Sequence, residues 1–81
     1  GVEDTAMSIA GVCGVHKVNI HSYGSHKEIL LHVLVDDDLS LVNAHDISEK
    51  VERAIEAKAD CKATVHVEPL PEDNTLNKRP A

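Results

Sequence analysis

The run Ile29-Leu30-Leu31-His32-Val33-Leu34-Val35 limits this chain's fold more than any other stretch. Ile29, Leu31, Val33 and Val35 point to one side of an extended strand, and Leu30, His32 and Leu34 to the other. A strand apolar on both faces belongs in the middle of a sheet, covered on both sides. Asp36-Asp37-Asp38 closes the strand, and Ser40 is placed to cap a helix. Leu41, Ala44, Ile47, Ser48, Val51, Ala54, Ile55 and Lys58 then recur at helical spacing. The acids preceding them suit the positive end of the helix dipole. Ala59-Asp60 breaks the helix, and a third strand is expected over Lys62 to Glu68. In it Ala63, Val65 and Val67 oppose Thr64, His66 and Glu68, and Pro69 and Pro71 end the ladder.

Upstream, Val2 to Val12 reads as a short helix ending at Gly11 or Gly14. From Val15 the period becomes that of a strand of mixed faces: Val15, Lys17, Asn19, His21 and Tyr23 against His16, Val18, Ile20 and Ser22. Ser22-Tyr23-Gly24-Ser25 is turn chemistry, with Gly24 free to take a positive φ. The order is therefore α-β-β-α-β, a hairpin followed by a crossover helix. It predicts an α+β, ferredoxin-like two-layer sandwich with a right-handed crossover. Residues 1–70 form the expected domain, and the polar, aperiodic segment 71–81 a disordered tail. Whether the third strand lies beside the first two is left open at this level.

Composition narrows the function classes. In 81 residues, eight Lys+Arg face fourteen Asp+Glu for a net charge of −6, with six histidines and Tyr23 as the only aromatic. An acidic chain with one aromatic lacks the basic field and stacking platform that nucleic-acid binding uses. No apolar run approaches the ~20 residues of a membrane span. The acidic start Gly1-Val2-Glu3-Asp4 does not read as a signal peptide, and Gly1 in place of Met suggests a fragment or tag-cleaved chain. Cys13 and Cys61 lie far apart, without CxxC spacing, and are expected to be free, buried or half-buried thiols. No nucleophile–base pair, phosphate-binding loop or cofactor motif is present, so catalysis is not expected. A domain this small is expected to draw stability from a metal or a partner subunit.

The histidines carry the chemistry. With the hairpin turn centred on Gly24, cross-strand partners have residue numbers that sum to 48, as His16 and His32 do. Their Cβ atoms would then lie about 4.5–5.5 Å apart on one face, close enough to share a divalent ion. His66 and Glu68 share a face of the third strand and offer a nitrogen and an oxygen ligand. Spacing alone leaves both a metal site and ordinary packed or surface roles open for these four residues. His45 reads as a boundary residue of the helix, and His21 and His26 as exposed residues flanking the turn, with a secondary metal role as the lesser alternative. The triple Asp lacks the glycine and distal Glu of an EF-hand loop, so helix-start electrostatics accounts for it.

Five motifs occur in a fixed order: Gly14-Val15-His16, Leu31-His32-Val33, Asp38-Leu39-Ser40-Leu41, Ala44-His45 and Val65-His66-Val67-Glu68-Pro69. Together they resemble the C-terminal cytoplasmic domain of the cation diffusion facilitators, proton-coupled exporters of zinc and related divalent metals. The likeness runs from about Ala6 to Leu70. It implies a metallochaperone-like sandwich that forms a V-shaped homodimer on the cytoplasmic face of the membrane, beneath a transmembrane domain absent from this chain. It also implies that His16, His32 and Glu68 hold one Zn2+, and that His66 and His45 belong to a neighbouring site partly completed across the dimer. On this expectation the metal favours the closed dimer and passes that preference to the membrane domain. The His/carboxylate set suits zinc, with other divalent transition metals possible. The alternatives are a stand-alone metal carrier or buffer of the same fold, and a metal-free dimerisation module.

Overall fold

The computed structural model describes residues 1–71, which form α1 (Val2–Met7), β1 (Gly14–Tyr23), β2 (His26–Val35), α2 (Leu41–Lys58) and β3 (Cys61–Pro69). The expected tail falls almost wholly outside the described residues. β2 is the central strand of a three-stranded sheet, antiparallel to β1 and parallel to β3. A parallel neighbour requires a crossover, and α2 supplies it. The placement of β3, undetermined by residue spacing, is therefore beside β2.

The core lies between the sheet and the helices. Leu31 and Val33 of β2 and Val51 of α2 are fully buried, joined by Ile29, Val35, Ile47, Ile55, Ala63, Val65 and Ala6. Each large aliphatic side chain buried there contributes about 1.5–3 kcal/mol of transfer free energy. Among the described residues, only this face of the sheet is covered. On the other face Leu30, His32 and Leu34 are half-buried, and no element among the described residues packs over them. The expectation of cover on both faces thus holds for one face within a single chain.

Helix α2 begins where the polar signals place it. Ser40 Oγ accepts from the Asn43 N–H at 3.1 Å, and Asp36 Oδ1 accepts from the Asp38 N–H at 2.9 Å. Both satisfy backbone donors at the strand-to-helix turn. The apolar stripe is buried from Ile47 onward, whereas Leu41 at its start is 88% exposed. The acids of α2 also have a structural use. β3 is an edge strand, and its outward N–H groups at Ala63 and Val65 donate to Glu56 at 2.8 Å and Glu52 at 3.0 Å. Those carboxylates occupy donors that would otherwise offer a template for strand addition.

Helix α1 is shorter than its sequence pattern suggests, ending at Met7 and not near Val12. Ser8 Oγ donates to the Thr5 carbonyl at 2.6 Å, a local bond that competes with continued helix. Tertiary packing then takes over, as Ile9 and Val12 turn onto the core. Gly11 makes the bend at φ +95°, and a Cβ there would meet Ile47 Cδ1 at 2.6 Å. Only glycine meets both conditions.

Candidate metal centre

The mixed faces of β1 are resolved by a bulge. Tyr23 pairs with His26 around the two-residue turn Gly24-Ser25, so residue numbers near the turn sum to 49, not to the 48 expected from a turn centred on Gly24. Gly24 takes φ +58° while Ser25 is not left-handed, the pattern of a type II′ hairpin turn. Between Asn19 and His16 the register then shifts, Lys17 and Val18 together facing the single residue Leu31. Beyond the shift the sum is 48, and His16 pairs with His32. The expected pair is present, but its geometric premise is corrected. Lys17 carries the cost, with φ +54° in the left-handed region that a β-carbon disfavours by about 1–2 kcal/mol. In exchange Val15 and Val18 both reach the core, while His16 and Asn19 share the open face. A bulge re-aims side chains in this way, and the broken alternation of β1 was its signal in the sequence.

β3 completes the cluster. His66 is the parallel partner of His32, and Glu68 follows two residues along on the same face. Glu68 reaches back across the sheet: His16 Nε2 donates to its Oε1 at 3.0 Å and His32 Nδ1 to its Oε2 at 2.6 Å. An ionised carboxylate can only accept, so both rings present N–H to it. These two hydrogen bonds, that from His32 foremost, hold the Glu68 carboxyl below its ordinary value against partial desolvation. The rings of His16 and His32 meet edge to face with centroids 5.5 Å apart, and His66 stacks on His32 at 5.0 Å. Ligand atoms of His16, His32 and Glu68 all lie within 4.8 Å of one another, on side chains that are half-buried. One donor comes from each strand, which only the observed strand order allows.

The remaining residues fall elsewhere. His45 lies on the exposed surface of α2, where its Nε2 contacts Glu49 Oε2 at 3.1 Å, and Arg53 holds the other Glu49 oxygen at 3.5 Å. His45 and His66 both border an open groove of about 640 Å³ between the start of α2 and the end of β3, apart from the three-residue cluster. Spacing did not single out Glu49, although an i,i+4 partner for His45 is legible on a helix. His21 and His26 are exposed beside the turn, as expected. Cys13 is exposed, contrary to expectation, and Cys61 is half-buried. Burial, with Glu56 and Asp60 nearby, pushes the Cys61 thiol up, and Lys27 opposes this.

Residues 1–70 match a family model described as cation efflux protein, cytoplasmic domain. The chain belongs to that family, as a C-terminal domain of the cation diffusion facilitators. Among its relatives, the cation-efflux pump FieF of Salmonella arizonae is 38% identical over 52 residues, which are 64% of this chain and 17% of the pump. An uncharacterized transporter of Methanocaldococcus jannaschii is 32% identical over 68 residues, 83% of this chain and 24% of that protein. The chain thus spans about a fifth of the curated relatives it matches. A solved structure of MamM CTD superposes with a TM-score of 0.81 at 25% identity, covering 86% of this chain and 89% of that one. Two further MamM CTD structures, a nickel form and a copper form at 22% and 24% identity, share the fold. The ferredoxin-like sandwich inferred from the element order is therefore the fold of this cation-efflux domain. No described helix is long and apolar enough to cross a membrane.

The donor set fits a zinc-like ion. Two imidazole nitrogens and a carboxylate are a usual zinc ligand combination, leaving a fourth position for water or a further ligand. Glu68 accepts an N–H hydrogen bond from each imidazole, so its carboxylate already lies at the point where the two rings converge and a divalent ion would be held.

Proposed function

We propose that this cation-efflux domain is the metal-sensing, homodimeric regulatory part of a proton-coupled divalent-cation exporter, and that zinc is the ion it senses. The domain binds metal and catalyses no reaction. The observation that carries this reading is the convergence of His16, His32 and Glu68, one from each strand, on the open face of the sheet. His16 and His32 supply imidazole nitrogens, and Glu68 supplies the oxygen that neutralises part of the charge. His66, stacked on His32, supplies an adjacent donor. His45 turns to Glu49 within its own chain, so its role belongs to the dimer, where a second copy brings another sheet to the groove it borders. The half-buried Leu30 and Leu34 are the apolar part of the face a second copy covers. Metal held at that face favours one interprotomer geometry over others, and so passes to the transmembrane part a signal of cytoplasmic metal.

The test is calorimetric titration of the metal-stripped protein with zinc, alongside sedimentation to follow dimer formation. Zinc is expected to bind and to favour the dimer, and His16→Ala with His32→Ala to abolish the tighter binding. Failure of the unmodified chain to bind zinc overturns the reading. Because imidazole binds metal only when unprotonated, affinity must fall as the solution is acidified; affinity unchanged with pH removes the histidines from the site.

A further inference from the structure

The hairpin tip carries donors that the cluster on the strands does not use. His21 and Glu28 are direct cross-strand partners, and His26 lies two residues from Glu28 on the same strand, so the three share one face. All three are exposed, and Lys27, the residue between, points to the other face. His26 Nε2 stands 3.7 Å from Glu28 Oε2. A tetrahedral ion with bonds of about 2.0–2.2 Å sets neighbouring donors roughly 3.4 Å apart, so this pair stands near the bite of zinc. Tyr23 stacks on His26 with centroids 5.6 Å apart, and its ring centroid lies 6.3 Å from that of His21. Donor atoms of His21, His26 and Glu28 do not all lie within 4.8 Å of one another as they stand, so closing both imidazoles on Glu28 takes side-chain rotation, which costs exposed residues little between staggered rotamers. Four residues along β2 separate Glu28 from His32, or about 13 Å at 3.3 Å per residue, too far for one ion to serve both clusters.

We infer that His21, His26 and Glu28 form a second, solvent-facing site for a divalent transition-metal ion of the zinc type at the tip of the β1–β2 hairpin. His21 and His26 supply nitrogen, Glu28 supplies oxygen, and water completes the shell. Its open, water-accessible donors make it the weaker of the two sites, occupied only after the cluster on the strands.

The test is zinc titration followed by calorimetry and by the imidazole resonances in NMR, on the unmodified chain, His21→Ala/His26→Ala and His16→Ala/His32→Ala. The chain is expected to show a weaker phase that the tip variant loses, one zinc equivalent per chain, while its tighter phase is unchanged. In His16→Ala/His32→Ala the resonances of His21 and His26 are expected still to shift with zinc. Identical stoichiometry in the tip variant, or His21 and His26 resonances indifferent to zinc in both other proteins, overturns the inference. A tight phase missing from the unmodified chain would overturn the site on the strands, whereas a weaker phase lost only in the tip variant would still support this one.

Discussion

The two faces of the one sheet obey different rules. The helix-covered face is aliphatic, with Leu31 and Val33 fully buried, and any well-packed hydrophobe of suitable volume serves it. The open face carries His16, His32, His66 and Glu68, where a single atom's position decides whether an ion can be held. Stability is concentrated on the first face and specificity on the second. Alternation along each strand joins them, so that a change in register on one is felt on the other.

The largest effect expected from breaking this division is on the covered face. Leu31→Ala should cost about 2–5 kcal/mol, read from the denaturant midpoint, because Leu31 is fully buried and the surrounding core relaxes only partly into the cavity left behind. The next concerns the open face. Zinc at a hundred times its Kd should add about 2.7 kcal/mol of stability. For a domain of this size that raises Tm by on the order of 10 °C. His16→Ala with His32→Ala should remove most of that rise while leaving the metal-free Tm nearly unchanged. If the metal-free protein instead collapsed, the open face would be structural after all.

Two smaller changes sharpen the link between the faces. Deleting Lys17 removes the residue that the ladder has to accommodate, and His16 then meets His32 through a regular register. The deletion is therefore expected to fold and to keep its zinc-dependent rise in Tm, against the usual outcome of a mid-strand deletion. Lys17→Gly keeps the bulge and relieves its left-handed backbone, a gain of about 1 kcal/mol by denaturation. The smallest effect is electrostatic. Glu68 has a lower pKa folded than unfolded, so its stabilisation is present above the unfolded value and lost as pH falls through the folded one. In metal-free protein the stability difference between the unmodified chain and Glu68→Gln should persist at neutral pH and shrink in acid below the ordinary carboxylate range. A difference that does not vary with pH would assign Glu68 a packing role only.

Much of the molecule was legible from local pattern. The Ile29–Val35 run, the Ser40 cap and the alternation of Ala63, Val65 and Val67 each declare their element, because burial and capping act on residues near in sequence. The order of elements and the five motifs were enough to name the family and to nominate His16, His32, His45, His66 and Glu68. The length of α1 was not legible, since Ile9 and Val12 leave the helix to pack on a core assembled from distant residues. Neither was the bulge at Lys17, whose only trace was a strand with confused faces.

What the chain determined by itself is which side chains of ligand type share a face within β2 and within β3, a consequence of the two-residue period of extended backbone. Tertiary structure decided that they meet. β3 had to lie beside β2 for Glu68 to touch both imidazoles, and one extra residue in β1 had to be absorbed before His16 could face His32. Both follow from where the apolar side chains find cover, and that choice belongs to the whole core and to no single segment.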